Sequence, residues 1–257
     1  MYNIGGLREG YKRGQLTLFV MIAIVIVAGI FVWFFWVQPT YFGMQTRGLR
    51  FDNCVNDALL EEVKALALVG GEYEPLSYYL YQNEKIPYFC YTNVPYKTCV
   101  VQQPLVKQYF EKQLKEALDS KINLCYENSV DQLKDLGYNV TTGKIDFNIT
   151  IIPNRINVEI FAPTTVEGQR FTEYRMNLNS PIYDILMIVT SLLQYEAGYG
   201  DAPISELMFY YPDFIVDKFK QSDSSTIYIV QDKVDGIKFQ FASRSLIWPA
   251  GYEMVNK

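Results

Sequence analysis

The longest run of apolar positions lies near the N-terminus. Residues 15–37 are 23 positions without a charge, and their apolar side chains cover every face of a helix. At about 1.5 Å per residue such a helix spans roughly 34 Å, slightly more than the ~30 Å hydrocarbon core of a bilayer. Trp33 and Trp36 lie near its far end, where indole rings favour the membrane–water interface. The pattern predicts a transmembrane helix that Pro39 ends.

Apolar residues recur at three- and four-residue spacing in three later segments, which predicts three more helices. The first covers 51–69, and Gly70 fits its left-handed end. The second opens at Pro104 and reaches Gly137, either as one long amphipathic helix or as two with a bend. The third, 181–196, is the most hydrophobic stretch outside 15–37. It is short for a membrane span, so we interpret it as a buried helix.

Elsewhere the apolar positions alternate with polar ones, which is typical of half-buried strands. This pattern predicts a hairpin within 145–160 and a further strand at 169–178. A second hairpin is predicted for 226–234 and 237–242, because Asp235-Gly236 between them favours a tight turn.

Two segments lack a clear period. Residues 73–100 contain short extended runs, with Pro75, Pro87 and Pro95 against a helix, and 197–225 is interpreted as loop-rich. Because helices come first and strands later, we predict an α+β fold, with amphipathic helices packed on antiparallel sheet.

Charge predicts the orientation of the membrane segment. Residues 1–37 carry a net charge of +2, from Arg8, Lys12 and Arg13 against Glu9. Because the whole chain has a net charge of −5, the rest of the chain carries −7. Basic residues before a span favour a cytoplasmic N-terminus. We therefore expect a single-pass cell-membrane protein in which the part of the chain after the span is extracellular. The alternative is a cleaved secretory signal, but the apolar run exceeds the ~7–15 residues of such signals.

These patterns predict four segments. They are a basic cytoplasmic leader at 1–14, the transmembrane helix at 15–37, a helical, disulfide-bearing part of an outer domain at 38–137, and a strand-rich part at 138–257.

Residues 12–19 read KRGQLTLF. This motif resembles the class III, type IV pilin-like signal of archaeal pilins and archaellins, in which basic residues and a glycine precede a glutamine that opens an apolar helix. The resemblance, confined mainly to residues 12–37, implies cleavage between Gly14 and Gln15 by a prepilin peptidase. Such signals often carry glutamate four residues after the glutamine. Here that position is Phe19, which weakens the case for polymerisation.

A wider resemblance involves archaeal surface proteins that combine this opening with a cysteine-bearing helix ending in two glycines. The corresponding residues here are Cys54, Gly70 and Gly71.

Four cysteines, Cys54, Cys90, Cys99 and Cys125, all follow the membrane segment. No CxxC spacing suggests a metal site, and an even number in an oxidising location indicates two disulfides. Of the three possible pairings we favour Cys90–Cys99, closing a small tyrosine-rich loop, and Cys54–Cys125, joining two helices. The alternative is four buried free thiols.

Residues 73–96 contain seven tyrosines. Tyrosine-rich surface loops suit contact with proteins or sugars, because the ring gives contact area at low entropic cost. The alternative is a loop packed over the helices. The candidate contact residues are Tyr78, Tyr79, Tyr81, Tyr88 and Tyr91.

Asn139-Val-Thr and Asn148-Ile-Thr match N-glycosylation sequons in the part expected outside. Asn148 falls within a predicted strand, which makes Asn139 the stronger candidate for a glycoprotein site.

The chain has no histidine, so the commonest general base and metal ligand are missing and catalysis is not expected. No cofactor motif is visible, and the negative charge disfavours nucleic acid. The acidic pairs Glu61–Glu62 and Asp131/Asp135 are interpreted as solvated helix faces.

Three functions remain open from the sequence. The first is a pilin-like structural or adhesive surface protein that contacts the lipid bilayer, copies of itself or other envelope proteins. The second is an uncleaved, membrane-tethered binding or accessory subunit of an envelope complex. The third is a surface enzyme without histidine.

Overall fold

The computed structural model describes residues 13–36 and 49–247, which belong to two compact units divided between Gly48 and Leu49. The first unit contains helix α1 (Arg13–Trp36), 24 residues long, where a helix is predicted at 15–37. Its side chains are described from Val20 to Val32, and all of them are exposed. Among the described residues, no helix combines the length and the apolar character that a membrane span requires.

Several predictions about the N-terminal region concern residues that the structure does not describe. The basic leader residues Arg8 and Lys12, the end of the apolar run at Val37 and the helix-ending Pro39 lie outside the described residues.

The second unit, here called the C-terminal domain, has an α+β fold with largely antiparallel sheets, which confirms the predicted class. Its helices are α2 (Asp52–Leu68), α3 (Val106–Asp135), α4 (Ile182–Tyr199) and α5 (Ile204–Tyr210). Its strands are β1 (Tyr78–Tyr81), β2 (Glu84–Tyr91), β3 (Val100–Val101), β4 (Val140–Thr142), β5 (Asp146–Ile152), β6 (Arg155–Val166), β7 (Gln169–Asn179), β8 (Phe214–Lys220), β9 (Ser225–Asp232) and β10 (Lys238–Arg244).

The first sheet has six strands in the order β1-β2-β10-β9-β8, with β3 also paired to β2. Strands β9 and β10 form the hairpin predicted around Asp235-Gly236. Strands β2 and β10 pair in parallel, in contrast to the antiparallel sheet predicted. No hairpin joins these two strands, because α3, α4, α5 and the whole second sheet lie between them in sequence, so their relative direction is not set by a short turn.

The second sheet has four antiparallel strands, in the order β4-β6-β5 with β7 on the other side of β6. The alternation read from the sequence is present: Phe147, Ile149 and Ile151 are buried, and the residues between them are exposed. The pairing of β6 with β7 shifts register between Phe161 and Thr164.

Helix α4 lies at the centre of the hydrophobic core. It contacts β2, β3, β9 and β10 of the first sheet, β5 of the second, and α3. Leu186 and Val189 are among its fully buried side chains, and each such side chain contributes about 1.5–3 kcal/mol on burial. The interpretation of 181–196 as a buried helix is therefore confirmed.

Helix α2 ends at the glycine pair. The N–H of Gly70 donates to Ala67 O at 3.0 Å and that of Gly71 donates to Leu66 O at 2.8 Å, which is the Schellman arrangement. Gly70 has φ +69°, so it is the left-handed residue that the sequence predicted.

Helix α3 is one continuous helix of 30 residues. Of the two possibilities for 104–137, one long helix or two with a bend, the structure has the single long helix.

The expectation of a loop-rich 197–225 is wrong, because this segment contains α5 and β8. Helix α5 has a single buried residue, Leu207, so it lacks the apolar stripe from which a helix is recognised. The first sheet also takes β1, β2 and β3 from 73–101, where short extended runs were predicted within the otherwise helical part 38–137.

Candidate functional site

The five candidate tyrosines all lie on the hairpin of β1 and β2. The hairpin turns at Gln82 and Asn83, which both have positive φ, as a type I′ turn requires. The structure therefore brings together the residues predicted for a contact surface, Tyr78, Tyr79, Tyr81, Tyr88 and Tyr91, but gives them different surroundings.

Three of these tyrosines help to cover one face of the first sheet. Tyr79, Tyr81 and Tyr88 are half-buried against a small apolar cluster formed by Ile86, Ile227 and Ala242. The Tyr88 hydroxyl lies 2.7 Å from Ser225 Oγ. Burial raises the pKa of Tyr88 and Tyr79 above the usual tyrosine range. These rings mainly contribute to packing.

Tyr91 is held by its neighbours. The Arg244 guanidinium carbon lies 5.6 Å from the centre of the Tyr91 ring, and Nη1 donates to the Tyr91 hydroxyl at 3.1 Å. The Tyr88 ring meets Tyr91 edge to face at 5.0 Å. Tyr91 is thus part of a fixed aromatic and cationic group rather than a free contact residue.

Apolar side chains are exposed to solvent on the outward side of β1 and two positions before it. Leu76 is fully exposed, Tyr78 is 44% exposed and Leu80 is 62% exposed. Among the described strands, β1 pairs only with β2, so it is an edge strand. An exposed apolar edge strand can pair with another chain. We call Leu76, Tyr78 and Leu80 the β1 surface.

The cysteines form two disulfides in the pairing that the sequence favoured. Cys54–Cys125 joins α2 to α3 with Cα atoms 5.8 Å apart. Cys90–Cys99 joins β2 to the segment before β3 with Cα atoms 5.3 Å apart. No described cysteine is free.

A buried carboxylate at the end of α4 connects this helix to the first sheet. Glu196 is 1% exposed. It accepts hydrogen bonds from the hydroxyls of Tyr228 and Ser243, the latter at 2.8 Å, and lies 3.4 Å from the Ser245 hydroxyl. Because Tyr228 and Ser243 are also fully buried, this cluster is closed to a substrate. Its position makes it a structural link between α4 and the first sheet.

The interpretation of the Glu61–Glu62 pair as a solvated face is wrong for Glu62, which is 5% exposed. Tyr73 donates to Glu62 Oε1 at 2.5 Å, and Lys121 Nζ lies 2.6 Å from Oε2. Glu61, one position along the helix, is exposed. The two neighbours differ because adjacent residues of a helix point about 100° apart.

The other acidic residues have local roles. Asp131 and Asp135 are exposed on α3, and Asp131 pairs with Lys134 at 3.2 Å. Asp232 accepts the N–H of Val234 at 2.9 Å and so stabilises the β9–β10 turn. Within the described residues, no group of acidic or cysteine side chains is arranged to hold a metal ion.

Both sequons are accessible. Asn139 precedes β4 and Thr141 lies in it, and both are exposed; Asn148 and Thr150 are exposed on the outer side of β5. Both asparagines lie on the solvent side, so its position within a strand does not bury Asn148. Gly14 and Gln15, the predicted processing residues, are in the first turn of α1, and only their backbone is described.

An open groove between α4 and α5 was missed by the sequence analysis. Its volume is about 670 Å³. Four tyrosines line it, together with Ser191, Gln194 and Leu207; the tyrosines are Tyr195, Tyr199, Tyr210 and Tyr211. The run Phe209-Tyr210-Tyr211 was a visible signal, but its partners on α4 lie ten or more residues away in sequence.

No protein-family model, curated protein or solved structure matches this chain.

Proposed function

We propose that this protein is a membrane-anchored cell-surface protein whose C-terminal domain contacts copies of itself or other envelope proteins. The observation that carries the proposal is the uncharged run 15–37 together with α1. Along α1, the side chains described from Val20 to Val32 are exposed, among them Met21 at 68% and Val25 at 70%. Such a continuous apolar surface requires lipid or other helices around it.

Two features support a location outside the cytoplasm. The basic residues Arg8, Lys12 and Arg13 precede the apolar run, which favours a cytoplasmic N-terminus. All four cysteines after it are paired in disulfides, which persist in oxidising surroundings. The acidic C-terminal domain would then face the cell exterior.

The β1 surface supports a role in association. Its apolar side chains lie on an edge strand, so a second copy or an envelope protein could add a strand there and cover Leu80 and Tyr78. Replacing Leu80 by lysine places a charge in that contact and should reduce the cross-linked oligomer recovered from membranes. The measurement is chemical cross-linking followed by denaturing electrophoresis.

Val234→Lys is a matched control, because Val234 is 85% exposed in the β9–β10 turn, outside the β1 surface. If Leu80→Lys and Val234→Lys leave the same amount of oligomer as the unchanged chain, association through β1 is excluded.

The KRGQ motif supports a pilin-like origin, and Phe19 supports a helix that stays in lipid. These alternatives predict different mature chains. Intact mass and N-terminal sequencing of the protein from native membranes should show a start at Gln15 if a prepilin peptidase cleaves it. A start at Met1 would instead favour the second candidate, an uncleaved anchored accessory subunit. A Gly14→Leu variant should block cleavage if the first alternative holds.

A further inference from the structure

The α4–α5 groove combines exposed ring faces with free hydroxyls. Tyr199 is 74% exposed and Tyr210 is 75% exposed. The rings of Tyr195 and Tyr199 lie 6.2 Å apart and tilted by 35°, so they form a continuous aromatic wall along α4. None of the four tyrosine hydroxyls in the groove has a hydrogen-bond partner among the described residues. The groove thus offers both apolar faces and unused polar groups.

Among the residues that the structure describes, no charged side chain lines the groove. Besides the tyrosines, the lining is Ser191, Gln194 and Leu207, all neutral. A phosphate, sulfate or carboxylate ligand would find no cation to pair with, and an ammonium ligand would find no carboxylate. The lining therefore favours an uncharged ligand.

Among uncharged ligands, a sugar matches this surface best. One side of a pyranose ring presents C–H groups that pack on aromatic faces, and its rim presents hydroxyls for hydrogen bonds. A purely apolar chain would leave the tyrosine hydroxyls and Gln194 facing hydrocarbon, which is costly. The groove volume of about 670 Å³ lies within the roughly 300–1,000 Å³ of small-molecule sites. We infer that the α4–α5 groove binds a neutral oligosaccharide of hexopyranose units, with Tyr199 and Tyr210 as stacking residues.

This inference is independent of the membrane anchor and of the β1 surface. The experiment uses the full chain in a detergent without a sugar headgroup, so that the detergent does not compete. The probes are neutral malto-, cello- and manno-oligosaccharides from tri- to hexasaccharide, with sialylated and sulfated oligosaccharides as comparison. Binding is measured by saturation-transfer NMR and calorimetry, and at least one neutral series should bind better than the charged ones.

Variants test the location of the site. Tyr199→Ala and Tyr210→Ala should each weaken binding about threefold to tenfold, the range expected for the loss of one aromatic contact. Tyr199→Phe keeps the ring and should keep most of the affinity. Phe161→Ala removes an aromatic that is 49% exposed on the second sheet, and should leave binding unchanged.

Both tyrosines are mostly exposed, so these variants should fold, and their thermal midpoints check this. The inference is overturned if no neutral oligosaccharide binds at about 10 mM. It is also overturned if the Tyr199→Ala/Tyr210→Ala double variant is folded and binds as well as the unchanged chain.

Discussion

Glu196 is the residue whose role depends most on its exact surroundings. It is almost completely buried, and its two carboxylate oxygens accept from Tyr228 and Ser243 on adjacent strands. The Ser245 hydroxyl lies 3.4 Å from the same carboxylate and also accepts the N–H of Cys99 at 3.0 Å. One side chain of α4 thus connects β9, β10 and the segment that carries the second disulfide.

Replacing Glu196 by alanine should lower the free energy of unfolding by about 2–4 kcal/mol. The physical reason is that the buried hydroxyls of Tyr228 and Ser243 lose their acceptor and gain no water in exchange. Urea unfolding followed by circular dichroism measures the effect. Glu127→Ala on α3 is the control: its side chain is exposed, so the change should stay within about 0.5 kcal/mol. Equal effects for the two variants would contradict the structural role of Glu196.

The sequence could not have identified this residue. Glu196 closes the pattern DILMIVTSLLQYE, where an acidic residue at a helix end is ordinarily solvated. Its burial results from β9 and β10, more than 25 residues later in the chain, which cover the end of α4 with hydroxyl groups. The burial of Glu62 could not be predicted for the same reason, since its partner Lys121 is on a different helix.

At the scale of elements, the end of α2 is the most constrained. A Cβ on Gly70 would lie 2.5 Å from Gln240 O and 2.6 Å from Pro87 Cγ. Gly70→Ala should therefore destabilise the fold by about 2–5 kcal/mol, which combines left-handed backbone strain with overpacking.

Gly137→Ala separates these two contributions. Gly137 ends α3 with the same hydrogen-bond arrangement and φ +88°, but a Cβ there would meet nothing within 4 Å. Its cost should be limited to backbone strain, about 1–2 kcal/mol. Equal destabilisation of the two alanine variants in thermal or urea unfolding would contradict the close contact of Gly70 with β2 and β10.

The disulfide between α2 and α3 should be a large contributor to stability. It closes a loop of 71 residues, for which chain entropy predicts about 4 kcal/mol. A Cys54→Ala/Cys125→Ala variant should lose most of this free energy of unfolding when it is measured by urea unfolding. Reduction of this disulfide can then no longer change the urea midpoint of the variant. A loss below about 1 kcal/mol would show that the crosslink does not restrict the unfolded chain in the expected way.

The elements that the sequence predicted are those with a strong period or a clear turn. Helix α4 has a long apolar stripe, the β5–β6 hairpin has clean alternation, and the β9–β10 hairpin was predicted from its Asp235-Gly236 turn; all three are present. Strand β8 was missed because its apolar residues Phe214, Ile215 and Val216 are consecutive and do not alternate. The parallel pairing of β2 with β10 has no local signal at all, since it depends on the path of the chain between them.

At the scale of the whole molecule, tyrosine burial predicts a sensitivity to alkaline pH. Burial raises the pKa of Tyr174 to about 12 and also raises the pKa of Tyr228 and Tyr109, which in addition donate to carboxylates. A phenol with a raised pKa holds its proton more tightly when folded than when unfolded, where the value is about 10. Stability should therefore be full below about pH 10 and fall as the pH rises beyond it.

Urea unfolding across about pH 8 to 12, with phenolate absorbance recorded in parallel, tests this expectation. Tyr228→Phe removes one of the responsible groups and should flatten the decline, at the cost of a lower stability near neutral pH. A stability that stays constant above pH 10 would mean that these tyrosines are not buried as described.

The candidate surfaces were only partly predictable. The tyrosine-rich segment was visible in the sequence, but strand alternation decides that Tyr78 faces out while Tyr79 and Tyr81 face in. The α4–α5 groove exists only because two helices bring distant tyrosines together, so neither helix alone indicated it.

We propose that the apolar run 15–37 anchors the chain in a membrane with the C-terminal domain outside. The most direct measurement combines alkaline carbonate extraction of membranes with labelling of intact cells by a membrane-impermeant amine reagent. We expect the chain to stay in the membrane pellet, and lysines such as Lys112 and Lys238, exposed on the C-terminal domain, to be labelled before lysis. A chain that is released into the soluble fraction, or is labelled only after lysis, would contradict it.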